Sequence, residues 1–167
     1  MSKTIIESGM EFNNDNSFYI EKSFQYTATE GKGIKSVEFI RVNGDQLYFI
    51  EAKSSFPNPK NPNSKEIFTS QIHEIADKFI HSLSLYSAIE VGIHEKYPDD
   101  FLPADKMSLK FIFVINNHCP KWCKPIKSGL YSTLPSYIKA IWKPEVYVID
   151  HETALRINIV KRLTPNV

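Results

Sequence analysis

Two apolar segments, Ser36–Val42 and Leu47–Lys53, are joined by Asn43-Gly44-Asp45-Gln46, and this pair constrains the fold more than any other feature. Both segments are rich in β-branched and aromatic residues and read as strands. Asn-Gly tolerates positive φ at consecutive positions, which suits the twist of a tight hairpin. Residues two apart on a strand share a face, so Glu51 and Lys53 point the same way, and Glu38 groups with Ile40 and Val42. Loop parity decides whether the two groups meet. A two-residue loop at Asn43-Gly44 sets Glu38 opposite Phe49; one at Gly44-Asp45, or a four-residue loop, sets it opposite Glu51. Either even loop puts Glu38, Glu51 and Lys53 on one face, whereas a three-residue loop separates them. Asn-Gly favours the even case.

Around the hairpin, Ile5–Phe12 and Phe18–Tyr26 read as strands separated by a turn at Asn13–Asn16, and Thr29–Gly33 reads as a loop. Three prolines within Phe56–Asn63 predict an extended, exposed loop. A long helix is predicted from about Ser64 to Val91. Asn63 is its expected cap, Glu66 reaches back, and Phe68, Ile72, Ile75, Phe79, Ile80, Leu83 and Tyr86 form one apolar stripe ending near Gly92. Lys96–Lys106 reads as a loop. Leu109–Asn116 is nearly all apolar, as a strand buried on both faces should be. Cys119–Ala140 mixes prolines with short helical pieces, Glu145–Ile149 is another strand, and Leu155–Leu163 is a strand or a short helix. This order predicts an α/β (α+β) fold with a mixed central sheet flanked by helices. One domain is expected over residues 1–167, with its core at about 18–116 and a C-terminal extension.

A length of 167 residues suffices to bury a real core, and 42% hydrophobic with 23% charged residues excludes a disordered chain. A net charge of +1 excludes a strongly basic nucleic-acid binder but leaves room for a local basic face, with Lys35, Lys60 and Lys65 placed to meet phosphates. The first residues lack the apolar stretch of a leader, and no segment approaches the roughly 20 apolar residues of a membrane span. A cytoplasmic protein without a membrane partner is therefore expected. Cys119 and Cys123 do not form a CxxC pair and are expected to be reduced thiols.

Two carboxylates and an ammonium on one sheet face suit phosphodiester hydrolysis. Carboxylate oxygens bind Mg²⁺, and the bound metal polarises phosphate and lowers the pKa of a coordinated water. Lysine can position or help deprotonate that water, and the Ala52 carbonyl is a plausible further ligand. Ser36-Val37-Glu38-Phe39-Ile40, followed by Tyr48-Phe49-Ile50-Glu51-Ala52-Lys53-Ser54-Ser55, resembles the core of the PD-(D/E)XK nuclease superfamily. That family places an acid on one strand and Glu-x-Lys on a following apolar strand, then a helix and another buried strand. The resemblance covers roughly Phe18–Asn116. It implies a restriction-endonuclease-like core that hydrolyses nucleic acid, DNA being the expected substrate, with Mg²⁺ or Mn²⁺. It assigns metal and catalytic roles to Glu38 and Glu51, a metal role to Ala52, and a catalytic role to Lys53. Some subgroups carry a glutamine in the following helix, which implies a catalytic role for Gln71, although Ile75 stands where those subgroups have tyrosine. Glu38 replaces the commoner aspartate. The usual first helix with another acid is not evident, which leaves Glu7 and Glu11, in strand-like sequence, as N-terminal candidates.

Blander readings stand beside these. Glu51 and Lys53 as an exposed cross-strand pair would contribute less than about 1 kcal/mol, but the apolar strand around them makes unpaired charge costly. Gln71 reads more readily as a solvated helix residue than as a site residue, His73 and His81 as a solvated helix face rather than a metal pair, Asp150-His151-Glu152 as a turn, and Trp122 and Trp142 as core or interface residues. His118 with Cys119 and Cys123 forms a faint zinc pattern. Two other functional classes are open: a catalytically inactive nuclease-fold module that binds nucleic acid, and a protein-interaction subunit of a host-defence or mobile-element complex. The near-neutral charge favours these over a stand-alone processive nuclease. No recognition element is visible beyond the core, so a homodimer or a protein partner is expected to supply one.

Overall fold

The computed structural model describes residues 4–117 and 120–162. A short hairpin of β1 (Ile5–Glu7) and β2 (Met10–Phe12) precedes a five-stranded sheet. The sheet order is β3 (Ser17–Phe18), β4 (Phe39–Asn43), β5 (Gln46–Lys53), β6 (Ser108–Ile115) and β7 (Glu145–Asp150). β3, β4 and β5 are successively antiparallel, whereas β6 is parallel to β5 and β7 to β6. The helices are α1 (Phe24–Thr27), α2 (Lys65–Glu90), α3 (Pro120–Thr133) and α4 (His151–Arg156). The mixed sheet with flanking helices is the α+β arrangement the sequence predicts.

Alternation along β5 and β6 assigns each side chain to one of two cores. On one face Phe49, Phe111 and Phe113 meet the stripe of α2, chiefly Ile72, Ile75, Phe79 and Leu83, and α3 adds Ile126 and Leu130. On the other, Phe39, Ile50, Ala52, Ile112 and Val114 are covered by Ile5, Met10 and Phe12 of the N-terminal hairpin and by Ala154, Ile159 and Val160. Because β5 and β6 are parallel, the chain between them must cross over, and α2 lies in that crossover, roofing the face that carries Glu51.

Several local expectations need correction. Ile5–Phe12 is not one strand: it folds back at Ser8 and Gly9, whose φ values are 52° and 75°. Of the Phe18–Tyr26 stretch only Phe18 pairs in the sheet, together with Ser17 before it. Ile20 is pulled into the core by a 3₁₀ turn at Ile20–Lys22, and the Ser23 hydroxyl then accepts the Tyr26 N–H at 3.1 Å and starts α1. Asn63 does not cap α2. Asn61 accepts the Asn63 N–H at 3.0 Å and caps a 3₁₀ turn, Pro62–Ser64, that leads into the helix. Pro120–Thr133 forms a continuous helix with Pro125 inside it, followed by a π-helical turn at Ile138–Trp142 that ends at Lys143, φ 48°. Asp150 is a helix cap rather than a turn residue, accepting the Thr153 N–H at 2.8 Å. Of Leu155–Leu163, Leu163 lies outside the described residues, and the rest contributes the end of α4 and one isolated bridge, Val160 to Phe12. His118 and Cys119 lie outside the described residues. Among the described residues no helix is long and apolar enough to cross a membrane.

Phe111 is fully buried, stacks on Phe79 at 4.6 Å and meets Phe49 edge-on at 5.9 Å. Phe111→Ala is expected to lower stability by about 3–5 kcal/mol, measured by urea unfolding; a loss under about 1 kcal/mol would contradict this packing.

Candidate functional site

The hairpin closes at Gly44-Asp45, with Asn43 paired to Gln46 and Gly44 at φ 60°. This is the even loop that the sequence favoured, at the second of its two positions. The last ladder pair is Phe39 with Ile50, so one further step brings Glu38 alongside Glu51. The Glu38 N–H donates to the Ile50 carbonyl at 3.1 Å, and the Glu38 carbonyl accepts the Glu21 N–H at 3.3 Å. The 3₁₀ turn is thereby tied to the mouth of the hairpin.

Glu51 is fully buried. Its Oε1 accepts from Lys78 Nζ of α2 at 2.7 Å. Two residues along the same face, Lys53 Nζ lies 3.6 Å from Glu74 Oε1, also on α2. Gln71, Glu74 and Lys78 stand at i, i+3 and i+7, one stripe of the helix surface, and Gln71 is half-buried. No hydrogen bond joins Gln71 to Glu38, Glu51 or Lys53. Ala52, between the two charged residues, turns its methyl into the opposite core.

Glu38 stands in a second group. Carboxylate oxygens of Glu7, Glu21 and Glu38, one from each, lie within 4.8 Å of one another. Glu7 comes from β1, Glu21 from the 3₁₀ turn and Glu38 from the strand mouth, so three separate segments converge. Among the described residues three buried side-chain oxygens have no hydrogen-bond partner: Glu38 Oε2 and Glu51 Oε2 here, and Gln46 Oε1 at the start of β5. An unsatisfied buried acceptor is costly.

Burial, a hydrogen bond with the Glu21 carboxyl, and the negative charges of Glu51, Glu21 and Glu7 push Glu38 up to about 9. Burial pushes Glu51 up to about 7 against the pull of Lys78 and Lys53. Burial also favours neutral Lys78, but the charge and hydrogen bond of Glu51, with Glu38 and Glu21 behind it, outweigh this and raise it. Glu7 is raised by burial and by Glu21, with Lys22 and Lys78 opposing. Carboxylates crowded this way, with orphaned oxygens and only oxygen donors, fit a hard divalent cation such as Mg²⁺ or Mn²⁺. Its charge would relieve both the mutual repulsion and the unsatisfied acceptors.

Of the residues named from sequence, Glu38, Glu51 and Lys53 share one face and Gln71 lies on the helix stripe above it. Glu7 joins the carboxylate group. Glu11 does not: it pairs opposite Ile6 in the small hairpin. Glu21 and Lys78 were missed. Lys78 had a signal, since it follows Gln71 by two helical turns on the edge of the apolar stripe. Glu21 had none, because it lay in a segment read as a strand. His81 is not a solvated residue: its Nδ1 accepts the Lys35 N–H at 3.0 Å, and Lys35 Nζ pairs with Asp77 at 3.1 Å. No family model, curated protein or solved structure matches this chain.

Glu38 and Glu51 hold protons more tightly in the folded than in the unfolded chain. Their contribution to stability is therefore full below the ordinary value of 4.5 and is lost as pH rises through about 7 for Glu51 and about 9 for Glu38. In EDTA the protein is expected to lose urea stability steadily from pH 5 to pH 9. Glu38→Gln should flatten the upper part of that slope, and Mg²⁺ should raise stability at pH 8 by mass action. A flat wild-type profile would sink the assignment. Lys78→Met removes the partner of a buried charge and is expected to cost about 3 kcal/mol at pH 8. The cost should be clearly smaller at pH 5, where Glu51 takes up a proton; equal losses at both values would show that Lys78 acts through packing alone.

Proposed function

We propose that this chain is a metal-dependent nuclease of the PD-(D/E)XK kind, hydrolysing phosphodiester bonds of nucleic acid, with DNA as substrate and Mg²⁺ or Mn²⁺ as cofactor. The observation that carries the reading is the pairing of Glu38 and Glu51 on one sheet face, each with a buried oxygen lacking a partner, between Lys53 and the acidic group of Glu7 and Glu21. The element order supports it. An antiparallel hairpin bearing the acid and Glu-x-Lys is followed by a helix and then a buried parallel strand, the order the family uses. Function rests on the site rather than on this likeness of order.

When bound, the cation supplies Lewis acidity and a water of lowered pKa. Glu38 and Glu51 would hold it, with the Ala52 carbonyl as a further donor and Glu7 and Glu21 widening the carboxylate set. Ligation requires Glu38 and Glu51 to release their protons, so both bind metal more tightly as pH rises through their raised values. Lys78 is a positioning residue: its bond to Oε1 fixes the rotamer of Glu51. Lys53 orients the attacking water and offsets phosphate charge. Its pair with Glu74 is no obstacle, because the two side chains are 35% and 43% exposed and such pairs are worth about 1 kcal/mol or less. Lys53 can leave Glu74 for a substrate phosphate at small cost. We place the protein in the cytoplasm, working with a second copy or a protein partner.

One observation favours a second reading. Both cations of the site are already paired with acids, Lys78 with Glu51 and Lys53 with Glu74, as in a fold retained for binding without cleavage. Labelled single- and double-stranded DNA and RNA, incubated with Mg²⁺, Mn²⁺ or EDTA, separate the two. Metal-dependent cleavage is expected, with Glu51→Gln and Lys53→Ala each reducing it by about 100-fold or more in protein shown to be folded. Salt-sensitive binding with no cleavage under any metal would establish the binding module instead.

A further inference from the structure

Between Asp105 and Glu145 the sequence contains seven lysines and neither an aspartate nor a glutamate. The chain as a whole carries +1, so this segment stands at +7 against −6 for everything else. Near-neutral totals therefore conceal a strong separation of charge. Among the described residues the ion pairs are Lys22–Glu21, Lys35–Asp77, Lys53–Glu74 and Lys78–Glu51, and none includes a lysine of this segment.

The fold collects these charges with aromatic rings. Lys121, Lys124 and Lys127 are exposed along α3, and Lys143 is exposed at the end of the π-helical turn. Lys127 of α3 and Lys110 of β6 both place their ammonium groups over the Tyr147 ring, at 5.7 and 5.4 Å from its centre. Lys139 lies 5.0 Å over the Tyr131 ring. Tyr131, Tyr137 and Trp142 are themselves 47%, 55% and 40% exposed. The segment flanks β7, one of the two edge strands of the sheet. Glu145 is the acid at its border, opposite Lys110 in the ladder and accepting from the Tyr147 hydroxyl.

We propose that α3, the π-helical turn and the neighbouring β7 edge form a docking surface for single-stranded nucleic acid, separate from the Glu38–Glu51 site. Lysines that form no ion pair among the described residues supply phosphate contacts. Exposed rings between them offer stacking platforms, which unpaired bases can use and duplex bases, already stacked, cannot. An acidic protein would satisfy the charge but leave the rings without their complement. The surface rests on the proposed function only for what happens to a strand once held, because docking needs neither metal nor catalysis.

The test is fluorescence anisotropy of a labelled oligothymidylate and its RNA counterpart, with the full chain in EDTA. Wild type is expected to bind, and to bind more weakly as salt rises from about 50 to 200 mM. Combined Lys121→Gln, Lys124→Gln and Lys127→Gln should weaken binding at least tenfold. It should also reduce the slope of log affinity against log salt by about 2, each phosphate contact on a single strand contributing about 0.7. Tyr131→Ala with Trp142→Ala should weaken binding with little change in slope. Combined Lys32→Gln, Lys96→Gln and Lys161→Gln, an equal change of charge elsewhere, should leave affinity unaltered. Wild-type affinity in the folded α3 variant would overturn the proposal. So would binding to phosphatidylserine vesicles but to neither oligonucleotide, or a preference for duplex. Lysine-dependent binding without metal-dependent cleavage would keep the docking surface and reject the nuclease. Cleavage that needs Glu51 but not these lysines would do the reverse.

Discussion

A carboxylate on a central strand, with no exposed surface, is the constraint around which the hairpin, α2 and the N-terminal segments are arranged. Glu51 has apolar strand neighbours, Phe113 of β6 beside it, Glu38 just before β4 on its other side, and a helix above. Burying such a group without compensation would cost several kcal/mol. Lys78 provides the compensation from α2, and this fixes the rotation of the helix about its own axis: the stripe that packs on Phe49 and Phe111 must present Lys78 to one oxygen of Glu51. Glu74 then falls above Lys53 by helical spacing alone.

The compensation is incomplete, and the incompleteness is informative. Lys78 satisfies Oε1 but not Oε2, and Glu38 brings a second orphaned oxygen and a second negative charge into the same region. Glu21 and Glu7 add further acid where a stability optimum would place hydroxyls, amides or lysines. Natural sequences tolerate such local conflict mainly at functional sites. Under the proposed function a divalent cation would resolve this conflict, supplying positive charge, filling the open acceptor positions and drawing the raised carboxyls into their ionised form. The small N-terminal hairpin reaches the same region through Glu7. Its Glu7 is brought there by a turn that needs Gly9, since a Cβ at that position would meet the Asn116 side chain at 3.0 Å in a backbone conformation that disfavours any side chain.

The chain separates an acidic cluster from a basic, aromatic flank, and under the proposals above the two would divide labour in electrostatic terms. A polyanion is repelled by uncompensated carboxylates, so a site built from them needs either a cation or a nearby positive field. In the docking surface proposed above, the acid-free stretch between Asp105 and Glu145 would supply that field. It would do so with little cost to solubility, because the remainder of the chain carries the opposite charge.

What was legible in the sequence was what short-range chemistry dictates. Period-two alternation and the Asn-Gly turn determined that Glu38, Glu51 and Lys53 lie on one face, and the i, i+3, i+4 stripe determined α2 nearly to its ends. The unbroken apolar run of β6 marked a strand buried on both sides. Where local signals competed, the sequence by itself was not enough. Phe18–Tyr26 has the composition of a strand, but the burial of Ile20 and the hydroxyl cap at Ser23 turn it into a 3₁₀ turn and a helix. That reversal delivers Glu21 to Glu38. The parallel crossover set Lys78 over Glu51, and the folding-back of β1 brought Glu7 within reach. These partners come from segments far apart in the chain. Their meeting depends on which faces bury together, a property of the assembled sheet and helices that no local pattern encodes.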